Sequence, residues 1–112
     1  NQRLIVMITI TVFKHQDQYR GFRSSGHAGY AEEGSDIICA AVSALTVNAI
    51  NSIDELTDDA ADVRQDEGYL ELRLEGTCSK ESSLLLDSLV LGLESIQESY
   101  GKKYIKIATK EV

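Results

Sequence analysis

His27 and Cys39 stand twelve positions apart in the stretch Gly26-His27-Ala28-Gly29-Tyr30-Ala31-Glu32-Glu33-Gly34-Ser35-Asp36-Ile37-Ile38-Cys39-Ala40-Ala41-Val42-Ser43. Nucleophilic thiol chemistry needs a thiolate and a nearby proton acceptor, and this segment carries both residue types. Cys39 opens an alanine-rich apolar run that reads as a helix. A thiol in a first helical turn faces unpaired backbone N–H groups and the positive end of the helix dipole, and both favour an anion. The same N–H groups could hold a developing oxyanion. Position alone leaves two roles open for Cys39, a reactive thiol or a small inert hydrophobe. His27 is likewise either a surface turn residue or a base that takes the thiol proton and returns it to a leaving amine. Gly29 and Gly34 give the intervening loop the freedom to close over a cleft, or simply make it a flexible connection. Asp36 could orient the base, but capping the helix, alone or in place of Ser35, is its better reading. Ser43, at i+4, shares the helix face of Cys39. Its hydroxyl either reaches the site or bonds back to a helix carbonyl.

Other chemistries have less support. Cys78 has no histidine near it in sequence and reads as structural. A zinc site would have to draw on His15, His27, Cys39 and Cys78, which contain no close ligand pair, so neither metal nor cofactor is expected. There is no G-x-S-x-G, P-loop or G-x-G-x-x-G pattern.

The elements that must position these residues follow from periodicity. Residues 4–14 read as a strand with Val6, Ile8, Ile10 and Val12 on one face. Residues 18–26 form a second strand, joined to the first by a hairpin at His15-Gln16-Asp17. Residues 36–53 read as a helix whose apolar set, from Ile37 and Ile38 to Ile50 and Ile53, wraps nearly all the way round. Such a helix should be buried on more than one side. After an acidic connector at 54–62, residues 62–67 and 69–75 form a second hairpin that turns near Glu67-Gly68. Leu70, Leu72 and Leu74 alternate there with charged residues. Residues 80–100 read as a helix ended by Gly101, and residues 104–108 as a last strand. The order ββαββαβ predicts an α+β fold, a two-layer sandwich with an antiparallel or mixed sheet and two helices on one face.

The chain of 112 residues is read as one domain, 1–112. Its 18 acidic and 11 basic residues give a net charge of -7. That field favours a basic partner and gives no reason to expect direct nucleic-acid binding. No apolar run approaches the length of a membrane span, so no membrane partner is expected. Residues 4–12 lack the cleavage site of a signal peptide, which together with two unlike cysteines points to a reducing cytoplasm. Met7 is a candidate natural start. The chain contains no proline, for which the sequence offers no functional account.

Gly26-His27-Ala28, followed by Gly34-Ser35-Asp36-Ile37-Ile38-Cys39-Ala40-Ala41-Val42-Ser43, resembles the motif of the bacterial ribosomal-processing cysteine proteases, the Prp family. The opening strand, Asn48-Ala49-Ile50 in the first helix and the long second helix before a last strand extend the resemblance over essentially the whole chain. The resemblance implies a cysteine endopeptidase that removes a short N-terminal extension from large-subunit ribosomal protein twenty-seven during ribosome biogenesis. It implies Cys39 as nucleophile, His27 as base, a loop after Gly26 that moves when substrate enters, and a homodimer. Gly34, Asp36 and Ser43 would support the site, and no third catalytic residue is evident. A non-catalytic module that docks on a ribosomal or assembly protein is the alternative, and a different thiol hydrolase or redox sensor a further one.

Overall fold

A computed structural model describes residues 7–26 and 35–112. Its elements are β1 (Ile8–His15), β2 (Gln18–Ser25), α1 (Ser35–Leu56), β3 (Ala61–Asp66), β4 (Tyr69–Leu74), α2 (Lys80–Tyr100) and β5 (Ile105–Glu111). The order ββαββαβ is the one periodicity predicts. The sheet runs β3-β4-β2-β1-β5. Every neighbouring pair is antiparallel except β1 and β5, which run parallel, so the sheet is mixed.

Both hairpins turn on two residues. Gln16 and Asp17 adopt φ of 49° and 66°, the doubly left-handed turn whose twist suits a tight hairpin. In the β3–β4 turn Gly68 takes φ of 68°. Between these turns, Ile8, Ile10, Val12, Phe22, Leu72 and Leu74 present a buried face to the helices. Ile38, Val42, Ala49 and Ile53 of α1 and Leu86, Leu89 and Leu93 of α2 close the core from above. The helices approach closely where Leu45 lies over Gly92, since a Cβ at Gly92 would come within 2.9 Å of the Leu45 side chain.

The opposite sheet face has its own buried residue. Phe13 is fully buried although it points away from the helices. It sits opposite Gly21, and the Arg73 guanidinium covers its ring at 3.7 Å. Gly21 permits this crowding, because a Cβ there would meet the Leu72 carbonyl at 2.0 Å. A register shift next to Phe13 then turns Tyr19 toward the helices, where its hydroxyl donates to Asp87 on α2.

Three expectations are corrected. The last strand extends to Glu111 because it pairs with β1 along Ile8 to Lys14. Helix α1 is buried along one side only: Ile38, Val42, Thr46, Ala49 and Ile53 are covered, while Ile37 and Val47 are 61% and 43% exposed. The segment Ile37–Leu56 is also long and apolar enough to cross a membrane by length and composition, because uncharged polar residues and alanines fill its open side. Its covered side packs on the sheet and α2 as a core helix does.

Helix α2 is anchored at its start. The Ser79 hydroxyl accepts the Ser82 N–H, and Asp59 accepts both the N–H and the O–H of Ser79, at 3.0 and 2.6 Å. This ties the α1–β3 connection to the cap of α2.

Candidate active site

Helix α1 places Cys39. Helical backbone begins at Ser35, so Ser35 and Asp36 both lie inside the helix, and Cys39 falls just past the first turn. Side chains on a helix tilt toward its N-terminus, which carries the Cys39 sulfur back over that turn. Cys39 is half-buried and packs on the edge of the core.

One side of this thiol opens on a cleft of about 270 Å³ between α1 and the helix-facing side of the sheet. Helix α1 lines it with Cys39, Val42, Ser43, Thr46 and Val47; β1 and β2 contribute Ile8, Ser24 and Gly26; and the β3–β4 hairpin contributes Gln65, Asp66, Gly68, Tyr69 and Leu70. Cys39 and Ser43 come together as the i+4 spacing predicts. The Thr46 hydroxyl is buried and donates to the Val42 carbonyl at 2.9 Å. Asp66 is the one charged residue among the described lining residues.

Gly26 is held from two directions. Its N–H donates to the Gly68 carbonyl at 2.9 Å. Its φ is +97°, and a Cβ there would meet the Met7 carbonyl at 2.3 Å. Only glycine fits that backbone without strain, so the chain leaves β2 from a defined point on the cleft wall. His27 and Gly34 lie outside the described residues, as does the Asp36 side chain.

The remaining candidates are elsewhere. His15 stands at the end of β1 remote from Ile8, with Nδ1 2.7 Å from the Val112 carbonyl and 3.5 Å from Glu111. The length of β1, Ile8–His15, separates it from the cleft, on the order of 23 Å of extended chain. Cys78 precedes α2, and its thiol donates to the Ser79 carbonyl. Burial, reinforced by the nearby Asp59 carboxylate, pushes the Cys78 thiol above its usual range. Among the described residues, no group of three or more His, Cys, Asp or Glu side chains is placed to hold a metal ion.

Sequence reasoning missed the hairpin contribution to the cleft. Gln65, Asp66 and Tyr69 reach it because β4 pairs with β2 in the register Ser25↔Tyr69. Nothing local to those residues signals that long-range pairing. Thr46 and Val47 carry a helical-spacing signal instead, about two turns beyond Cys39 on the same face.

The family model for cysteine protease Prp matches residues 7–106. A ribosomal processing cysteine protease Prp of Staphylococcus aureus is 34% identical over 79 residues, covering 69% of this chain and 74% of its own length. The Bacillus subtilis protein of the same name is 29% identical over 110 residues, covering 92% and 97%. Among solved structures, the Staphylococcus aureus Prp protease with a substrate peptide superposes with a TM-score of 0.85 at 29% identity, covering 93% of this chain and 100% of that one. The same protease with a covalently linked product peptide gives 0.82 at 30% identity, with the same coverage.

Proposed function

This chain belongs to the Prp family of cysteine proteases, and we propose that it removes the N-terminal extension of ribosomal protein twenty-seven through a Cys39–His27 dyad. The observation that carries the reading is the cleft: Cys39 lines it from the start of α1, and Gly26, the residue before His27, lines the same cleft. The chain has two histidines. His15 is remote from the cleft, which leaves His27 as the imidazole for the pair.

In this mechanism His27 takes the proton from the Cys39 thiol. The sulfur attacks the scissile carbonyl, and backbone N–H groups at the start of α1 receive the oxyanion. Protonated His27 gives its proton to the departing amine as the C–N bond breaks. Water, activated by His27, then hydrolyses the thioester and restores the thiol. Ser43 borders the reacting sulfur, and Gly34 and Asp36 set the loop end and helix start. A net charge of -7 attracts a basic ribosomal protein. A cytoplasmic setting fits two cysteines that form no disulfide with each other.

The same reading includes a homodimer. Between Ile37 and Ile53 helix α1 carries no charged residue, yet Ile37 and Val47 are exposed. An uncharged, partly apolar helical face on a strongly charged protein is suited to covering by a second copy.

A peptide spanning the extension and its junction tests the function. Wild type gives one defined cut, and Cys39→Ala reduces the rate by about a thousandfold or more. Tight binding of the peptide by wild type with no cut would favour the docking module instead.

A further inference from the structure

We propose that the substrate docks as an added β-strand along the outer edge of β3, with alternate side chains entering a groove that runs from the Cys39 cleft to the far end of α1. The inference rests on the protease reading above and specifies how that site receives its chain.

Among the described residues β3 pairs with β4 alone, which makes it an edge of the sheet. The Glu75 N–H donates to the Ala60 carbonyl, next to the aligned pair Ala61↔Leu74. Backbone direction alternates along an antiparallel ladder. Asp62, Arg64 and Asp66 therefore turn their N–H and C=O groups to β4, and Ala61, Val63 and Gln65 turn theirs outward. An exposed row of such groups is a template for another strand.

The side chains of those outward-bonding residues face the groove. Val63 is aligned with the core residue Leu72, which fixes their side of the sheet, and Val63 is 44% exposed. The Cys39 cleft reaches β3 at Gln65. A second cavity of about 440 Å³ continues along the strand, bounded by Ala61 and Val63 of β3 and by Ile50 and Asp54 of α1. The two walls match in length. From Cys39 to Asp54 helix α1 rises on the order of 22 Å, and six residues of β3 extend about 20 Å. About six residues of extended substrate fit between them.

The walls also indicate the occupant. Ala61 and Val63 offer apolar surface at every second position. Asp62 and Asp66 are exposed on the other side of β3, and Asp54 lies in the groove wall. A strand added here matches when apolar side chains alternate with basic or polar ones, as an extended segment of a basic protein can provide. The Cys39 cleft reaches this edge at Gln65, two residues along β3 from Val63 in the second cavity, so a chain seated on β3 is led toward the thiol.

Amide hydrogen exchange on the Cys39→Ala protein tests the docking. Two peptides share the scissile bond: one is long enough to run along β3, and the other is trimmed to the residues flanking the bond. The long peptide should slow exchange at Val63 and Gln65 about tenfold or more, and the trimmed one should leave both amides unchanged. In the cysteine-containing enzyme, the advantage in kcat/KM of the long peptide over the trimmed one should shrink about tenfold in Val63→Asp, through KM. Unchanged Val63 and Gln65 amides at saturating long peptide, or an undiminished advantage in a folded Val63→Asp protein, would overturn strand addition while leaving the protease reading intact. Failure of wild type to cut either peptide would overturn the protease reading and the docking together.

Discussion

Cys39 and Cys78 are the same residue type in different surroundings, and the difference is physical. Cys39 lines an open cleft beside the first turn of a helix, where a reagent can reach it. Cys78 is held by burial and by the Asp59 carboxylate in a setting that favours the protonated thiol, and its hydrogen is engaged by the Ser79 carbonyl. Near neutral pH, iodoacetamide followed by peptide mass spectrometry should label Cys39 about tenfold or more faster than Cys78. Equal, slow labelling would remove the selective reactivity of Cys39 from the account. Gly26 is the matching case of a residue chosen by geometry. With a positive φ and the Met7 carbonyl against its α-carbon, it defines where the chain toward His27 departs.

At the level of elements, the site depends on α1 and the β3–β4 hairpin staying in register, and the α2 cap helps hold them. Hydrogen bonds from Ser79 and Ser82 keep the Asp59 carboxyl below the usual carboxylate range. A carboxyl depressed in the folded state contributes stability above its unfolded pKa of about 3.9. That contribution is lost as pH falls through the lower folded value. Asp59→Asn should therefore unfold at lower denaturant concentration than wild type at pH 7, and the gap should close as pH drops below about 4. A gap that does not change with pH would mean that the cap is held by something other than the carboxylate.

Most of these elements were legible because each has a strong local period. Alternation marks β1 and β4, a leucine stripe marks α2, and Gly101 ends α2 with its N–H on the Gln97 carbonyl. What stayed hidden is non-local. The length of β5 depends on its parallel match with β1, and the burial of Phe13 depends on Gly21 and Arg73 from two other strands. The open side of α1 could not be read either, because an apolar helix carries the same periodic signal whether or not a partner covers it. At the site, Cys39 and Ser43 were readable from helix spacing. Asp66 and Tyr69 enter only through sheet pairing.

For the whole molecule, charge and shape divide the tasks. The acidic residues outnumber the basic ones across the chain, and the two helices leave one edge of the sheet beside the thiol. In the proposed reading, a basic polypeptide is drawn by the first feature and seated by the second, and the uncharged face of α1 is the surface proposed for a second copy. All of this serves one chemical claim, that Cys39 forms a covalent acyl-enzyme with the segment it cuts.

Acid quenching of the intact protein during turnover of the ribosomal-protein peptide, followed by peptide mapping, tests that claim most directly. The account predicts a thioester between the N-terminal product and Cys39, absent from Cys78 and absent in Cys39→Ala. Cleavage that continues undiminished in Cys39→Ala, with no adduct on the wild-type thiol, would contradict it.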